Sequence, residues 1–329
     1  MPKVSIILPT YNGQAYIEEA ITSILNQTFE DFELIVVDDC STDHTPGLLE
    51  SFRLQDARIK IITNKHNLKL PASLNVGHRM AQGEYLTWTS DDNTLHNNFL
   101  ERLVKVLETS SEDVVYSDFN VIGSLGELIR IQKTEDISLL PFANIIGASF
   151  LYSKKVYEAT KYNEELHGIE DYDFWIRSAQ NFSFKHIEDV IYDYRIHTKS
   201  LTTSINKNVL KSIEFEENLK KVLKNLVIYT EESQELLFKF QRPAYWNWNY
   251  FFNHRRKFEL ENSVWLQHLN QSKSSFKKAY VKRLRELMTQ SDGKVLGKLF
   301  IAKPQVLSFK YSKLTTFKLL VKWFRKIFN

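Results

Sequence analysis

Three times near the start of the chain a short apolar run stops at a polar turn and gives way to helical spacing. Val4-Ser5-Ile6-Ile7-Leu8 stops at Pro9-Thr10-Tyr11-Asn12-Gly13, and residues 33–37 stop at Asp38-Asp39-Cys40-Ser41-Thr42-Asp43. Residues 84–89 stop at Ser90-Asp91-Asp92-Asn93. Helical spacing follows at Ile17, Ala20, Ile21, Ile24 and Leu25, then at Leu48, Leu49 and Phe52 with Ser41 or Thr42 as the cap. It returns at Phe99, Leu100, Leu103, Val104 and Leu107. A further strand, 58–63, and a helix, 70–81, with Pro71 near its start, lie in between. This alternation predicts a parallel sheet covered by helices on both faces. Right-handed crossovers put the three polar turns along one edge of it, where open α/β sheets bind ligands.

From Asp113 the texture changes. Residues 114–118 and 128–131 read as strands around turns at Gly123 and Gly126, and 145–152 as another strand, with little side-chain bulk at Gly147 and Ala148. Gly168-Ile169-Glu170-Asp171 leads into a helix over 172–180, and 190–195 form a last strand before Ile196-His197-Thr198-Lys199-Ser200. Past Ser204 the spacing is helical over 208–225, 231–240 and 243–269. The aromatics there (Tyr245, Trp246, Trp248, Tyr250, Phe251, Phe252) are expected to pack between helices. The division expected is an α/β domain over 1–204, a helical aromatic-rich region over 205–272 and a basic amphipathic segment over 273–329.

The 43% hydrophobic and 25% charged residues describe an ordinary globular chain. One cysteine, Cys40, excludes an internal disulfide framework and suits a reducing compartment. The apolar run 4–8 is too short for a signal-peptide core, and no apolar segment is long enough to span a bilayer, so a soluble or peripheral protein is expected. Charge is unevenly placed. From Lys273 onward fifteen basic residues face only Glu286 and Asp292, leaving 28 basic against 38 acidic residues before it. Such a split suggests a body and a basic tail with a partner of its own.

Adjacent carboxylates at a strand end repel one another unless something offsets their charge, and a hard divalent cation with oxygen ligands does so. In isolation Asp91-Asp92-Asn93 is also an ordinary turn. The first turn lacks the glycine spacing of a dinucleotide-binding fold, and a P-loop is absent. A nucleic-acid binder would need a basic face near the sheet, whereas the first 272 residues are net acidic.

Taken together, Pro9-Thr10-Tyr11-Asn12, Val37-Asp38-Asp39-Cys40-Ser41-Thr42-Asp43, Thr89-Ser90-Asp91-Asp92-Asn93 and Gly168-Ile169-Glu170-Asp171 resemble, in order and spacing, the motifs of family 2 glycosyltransferases. The resemblance covers residues 1–204 and implies the GT-A fold, a Rossmann-like nucleotide-binding half with a mixed central sheet. It implies an inverting transfer of sugar from a nucleotide-diphosphate sugar, UDP-linked by preference, to a hydroxyl of a saccharide or lipid-linked saccharide. Pro9, Tyr11 and Asp39 would hold the base and ribose, with Asn67 near the base and Asp38 orienting its loop. Asp91 would contact ribose or donor sugar, and Asp92, with His197, would ligate Mn²⁺ or Mg²⁺. Asp171 would be the general base, Glu170 the alternative. Two positions depart from the pattern: Lys69 stands where a glycine is common and Leu74 where an arginine is, which leaves Lys69 to compensate for a lost phosphate contact.

In the basic tail Leu314, Phe317, Leu320, Val321, Phe324 and Phe328 recur at helical spacing among Lys313, Lys318, Lys322, Arg325 and Lys326. That pattern describes an interfacial helix on an anionic membrane surface, hence a cytoplasmic enzyme peripheral on the inner face of the plasma membrane. Packing of that helix on the body or in a homo-oligomer is the other outcome. No nucleic-acid partner is expected. The alternative kept for the whole chain is a basic-tailed nucleotide- or nucleic-acid-binding protein without transferase activity.

Overall fold

The computed structural model describes residues 1–271 and 273–289. The predicted helix over 313–328 lies outside them. Among the described residues no helix is long and apolar enough to cross a membrane.

The chain falls into two compact units, one of Met1–Leu140 with Asn144–Asn225, the other of Pro141–Ala143 with the chain from Leu226. The boundary drawn after residue 204 in the sequence falls inside the first unit. The strands of that unit are β1 (Val4–Thr10), β2 (Phe32–Asp38), β3 (Ile59–Thr63), β4 (Tyr85–Trp88), β5 (Thr94–Leu95), β6 (Val114–Ile122), β7 (Leu128–Gln132), β8 (Phe150–Ser153) and β9 (Phe184–Arg195). Its helices are α1 (Ile17–Leu25), α2 (Thr45–Gln55), α3 (Leu70–Met80), α4 (Phe99–Thr109), α5 (Lys154–Thr160), α6 (Glu170–Ser178), α7 (Leu201–Lys207) and α8 (Val209–Lys224).

The strands form one mixed sheet in the order β3-β2-β1-β4-β8-β6-β9-β5, with β7 paired to β6. β3, β2, β1 and β4 run parallel, while β8 is antiparallel to both β4 and β6. β1 and β2 are buried along their whole length, as an unbroken apolar run in a parallel sheet requires. Val4, Ile6 and Leu8 share a core with Ile17, Ile21 and Ile24 of α1, Leu49 of α2 and Leu100 and Leu103 of α4. The opposite face takes α3, whose Gly77 comes so close to Ile7 that a Cβ there would lie 2.5 Å from its Cγ2. Helices on both faces follow from that alternation.

Several boundaries differ from the sequence expectation. The strand expected over 145–152 is confined to Phe150–Ser153, since Gly147 adopts φ +71° and turns the chain against Phe119. The last strand begins at Phe184 rather than 190, because β6 offers a parallel partner along its length. α6 begins at Glu170, two residues earlier than expected. β5, α5 and α7 are too short for periodicity to reveal.

The second unit holds α9 (Glu231–Gln241), a 3₁₀ turn (Pro243–Tyr245), α10 (Trp248–His268) and α11 (Lys273–Thr289). Its interior is aromatic: Phe240 lies 5.1 Å from Phe142, 5.8 Å from Phe258 and 4.6 Å from Trp246, ring centre to ring centre. Trp246, Trp248 and Phe251 pack in this way, and Tyr245, though half exposed, lies 5.5 Å from Phe238.

Two glycines test the packing. A Cβ on Gly83 would lie 2.5 Å from the backbone nitrogen of Ser5, which cannot yield, whereas one on Gly47, inside α2, would meet nothing within 4 Å. Gly83→Ala is therefore expected to cost about 1–3 kcal/mol by overpacking. Gly47→Ala is expected to stabilise by about 0.5–1 kcal/mol through helix propensity. Chemical denaturation of the two variants beside the parent checks both signs.

Candidate active site

The C-terminal ends of β1, β2 and β4 open on a cleft of about 1490 Å³, whose lining belongs wholly to the first unit. Pro9, Tyr11, Asp39, Asn67, Asp91, Asp92, Asp171 and His197 all line it. Every site residue chosen from the sequence thus reaches one cavity.

At the end of β2 the two aspartates divide. Asp38, wholly buried, accepts the Ser41 N–H at 3.0 Å and shapes its own loop. Asp39 reaches across to the loop before α3: Oδ1 accepts from Asn64 Nδ2 and the Leu68 N–H, both at 2.8 Å, and Oδ2 accepts the Lys69 N–H at 2.9 Å. A carboxylate has about four acceptor positions, so one on Oδ2 stays open. Asn67 Oδ1 accepts the same Lys69 N–H at 3.2 Å. Lys69 sits at φ +73°, a conformation a glycine holds without strain. Leu74 is wholly buried and outside the lining, so position 74 makes no phosphate contact here, while Lys69 does line the cleft. Ser41 and Thr42 do not cap α2. Ser41 Oγ accepts the Asn12 N–H and Asn12 Oδ1 accepts the Thr42 N–H, tying the first two turns together, and Asp43 accepts from Thr45 at the helix start.

The acidic turn after β4 is tightly held. Asp91 Oδ2 accepts a short hydrogen bond from Thr10 Oγ1. Burial, and then the charge of Asp92, pushes the Asp91 carboxyl up to about 7. Burial raises Asp92 as well, opposed first by His197, whose Nε2 lies 3.0 Å from Asp92 Oδ2. His197 Nδ1 accepts the Lys199 N–H at 3.3 Å, so Nε2 carries the ring proton and donates it to Asp92. Arg195, 2% exposed, locks this turn from behind. Its Nε donates to the Asp92 carbonyl at 2.8 Å, its backbone N–H donates to Asn93 Oδ1, and its guanidinium pairs with Glu19 at 2.7 Å.

The other acid pair lies in the first turn of α6. Glu170 is buried and its Oε2 accepts the Gly168 N–H at 2.6 Å. Asp171 accepts the Tyr172 N–H and Asn144 Nδ2, each at 2.7 Å. Burial raises both carboxyls, and the charge on Asp171 raises Glu170 further. Two donors hold the Asp171 carboxylate and one holds Glu170, which favours the charged form more at Asp171.

A family model described as Glycosyl transferase family 2 matches residues 5–186. The chain belongs to that family. An uncharacterized glycosyltransferase from Haemophilus influenzae is 31% identical over 245 residues, 69% of this chain and 74% of that one. The GalNAc(5)-diNAcBac-PP-undecaprenol beta-1,3-glucosyltransferase of Campylobacter jejuni is 32% identical over 237 residues, covering 68% and 75%. The structure of S. aureus TarS 1-349 in complex with UDP-GlcNAc superimposes with a TM-score of 0.60 at 19% identity, over 98% of this chain and 92% of that one, a likeness of fold. The GT-A fold and a glycosyltransferase activity replace the alternative of a binding protein without transferase activity.

Four residues of the transferase's cleft region escaped the sequence reading. Thr10 and Gly13 were taken only as turn formers, yet a Cβ on Gly13 would lie 2.2 Å from Asp91 Oδ2. Asn144 and Arg195 act through contacts 27 and 103 residues away in the chain, to Asp171 and Asp92, which no local pattern signals.

Asp91 makes the folded state sensitive to pH in a definite direction. Its folded value exceeds its unfolded one, so stability is full below the unfolded value and falls as pH rises toward about 7, where the folded state also ionises. In chelator, Asp91→Asn should raise stability at pH 8 by on the order of 2 kcal/mol, with the gain shrinking toward zero near pH 4. Thermal melts across that range check it.

Proposed function

We propose that this transferase moves a sugar, with inversion, from a UDP-sugar to a hydroxyl of a saccharide or lipid-linked saccharide. The observation that carries the reading is Asp171, fixed by two donors at the wall of the same cleft that collects Tyr11, Asp39, Asp91 and Asp92. Tyr11, half exposed, offers a face on which a base stacks. The open lone pair of Asp39 Oδ2 accepts the uracil imide proton, with Pro9 and Asn67 beside it. Asp91, pinned by Thr10, faces ribose or donor sugar.

Asp171 removes the acceptor hydroxyl's proton as that oxygen attacks the anomeric carbon. Burial raises its proton affinity above the usual carboxylate range, which improves it as a base. Glu170, bound to the Gly168 N–H, holds the loop instead.

Asp92 and His197 present an anionic oxygen and an imidazole nitrogen at one point of the wall, a donor pair suited to Mn²⁺ or Mg²⁺. Among the described residues no cluster of three such groups exists, so a cation held by this pair would leave positions for oxygens of the donor or of water. A bound divalent cation would neutralise charge building on the departing nucleoside diphosphate. His197 would ligate through an unprotonated ring nitrogen, and Arg195, donating to the Asp92 carbonyl, holds the turn that carries the carboxylate.

The Campylobacter jejuni relative's name specifies an undecaprenol diphosphate-linked acceptor and TarS was solved with UDP-GlcNAc, which favour a lipid-linked acceptor and a UDP donor here. A lipid-linked acceptor places the enzyme at the inner face of a plasma membrane, with the basic stretch from Lys273 as a further contact to anionic lipid or to a second subunit.

Two variants separate the roles. Asp92→Ala should lose Mn²⁺-dependent donor affinity in calorimetry. Unchanged affinity would move the cation elsewhere. Asp171→Asn should keep donor affinity and lose transfer by about 10²–10⁴-fold, because an amide accepts no proton. In the parent, turnover should fall as pH drops through the raised Asp171 value. Near-parental turnover of the Asn variant would pass the base role to Glu170.

A further inference from the structure

Asp171 takes one of its two hydrogen bonds from outside its own helix. The N–H on Oδ1 belongs to the next residue, Tyr172, whereas Asn144 Nδ2 reaches Oδ2 at 2.7 Å from 27 residues earlier in the chain. Glu170 is held by backbone N–H groups alone, so among the described residues Asn144 is the only side chain that hydrogen-bonds either acid. Asn144 is exposed, yet the chain on both sides of it is anchored. Leu140 is wholly buried, and its carbonyl accepts the Tyr172 hydroxyl at 2.7 Å. Ile145 and Ile146 are buried, and Ser149 beyond them meets Ser117 at 2.5 Å between hydroxyl oxygens. Tyr172 thus fastens Asn144's segment with its ring hydroxyl and Asp171 with its N–H.

The terminal torsion of an aspartate is broad, so a carboxylate held at one oxygen swings about its Cβ–Cγ bond. Held at both oxygens, it keeps one plane and its remaining lone pairs keep one direction. A base must meet its proton at about 2.6–3.2 Å between heavy atoms, which makes that direction matter. The same bond acts on charge. Burial raises Asp171, and donation by the Tyr172 N–H and then by Asn144 draws it back toward the ionised form that accepts a proton. Around Asp171, Glu170 shares its turn, Tyr162 and Tyr194 feel its charge, and His167 lies three residues before Glu170. Burial pushes both tyrosines up and His167 down, so these three stay uncharged near neutral pH.

We propose that Asn144 is a positioning residue for the base: its side-chain N–H fixes the plane of the Asp171 carboxylate and weights the charge of the acid pair toward Asp171. Asn144 stands outside the cleft lining, so it acts through Asp171. The proposal rests on the reading of Asp171 as the base, and it deepens that reading by naming the side chain that aims it.

The test compares the full chain of the parent with Asn144→Ala and with Asn144→Leu, which fills the same space without a donor. In chelator and without substrate, the Asp171 carboxyl is followed by ¹³C NMR of aspartate-labelled protein, its signal identified by its loss in Asp171→Asn. Its midpoint should lie higher in both variants than in the parent. With UDP-GlcNAc and Mn²⁺, kcat for release of UDP should fall by about 10–10²-fold and its acid limb should move to higher pH. Donor affinity in calorimetry and melting temperature should stay parental. An unmoved Asp171 midpoint overturns the proposal, as does parental kcat in either variant. Donor affinity lost along with kcat also overturns it, by making Asn144 a structural support of its loop. Failure of the base reading shows separately, as parental turnover of Asp171→Asn while the midpoint still moves in the Asn144 variants.

Discussion

Parallel pairing of β1 on both of its sides governs the rest of the molecule. Its residues register with β2 on one side and β4 on the other, Thr10 opposite Asp38 and Ile7 opposite Trp88. A strand so enclosed satisfies its backbone polar groups in the ladder and buries both of its faces, which demands apolar side chains throughout and helices above and below. The same register makes three neighbouring strands end together. Wherever the apolar runs give way to polar turns, those turns must meet.

Meeting has an electrostatic cost. Asp91 and Asp92 lie adjacent and recessed, and burial raises the proton affinity of both. The fold offsets part of this locally with a hydroxyl from Thr10, an imidazole from His197 and a buried guanidinium behind the loop. Arg195 is itself costly to bury, and only Glu19 pairs with its charge among the described residues. It braces one backbone carbonyl and, through its own N–H, Asn93, so that the acidic turn keeps one shape. The acid pair of α6 is raised by burial as well, and there the offset comes from the Gly168 N–H at Glu170 and from the Tyr172 N–H and Asn144 at Asp171.

Helix α7, the hairpin β6–β7 and the loop holding Asn144 surround the cleft with elements remote in sequence. Lys69 shows how departures from a pattern are absorbed. A lysine occupies a left-handed position because its N–H is needed by both Asp39 and Asn67, and its side chain remains free to face the cleft.

The sequence alone determined the parallel core and the residues of the cleft. Apolar runs of strand length followed by helical spacing permit little else, and Pro9, Asp39 and the Asp91–Asp92 pair sit at or just past the ends of such runs. Pro9, Tyr11, Asp39, Asp91 and Asp92 were legible because chain direction and register place strand ends together. Tertiary structure alone decided how those groups are held. Asp39 spends three acceptor positions on a loop some 25 to 30 residues away, Arg195 grips a carbonyl 103 residues earlier, and Asn144 steadies Asp171. It also decided that the chain at Gly147 turns instead of extending, since Phe119 fills the space a side chain would need. Periodicity reports which face a residue turns to its own element. It carries no record of which distant backbone group will need a donor, and that is settled only when the elements pack.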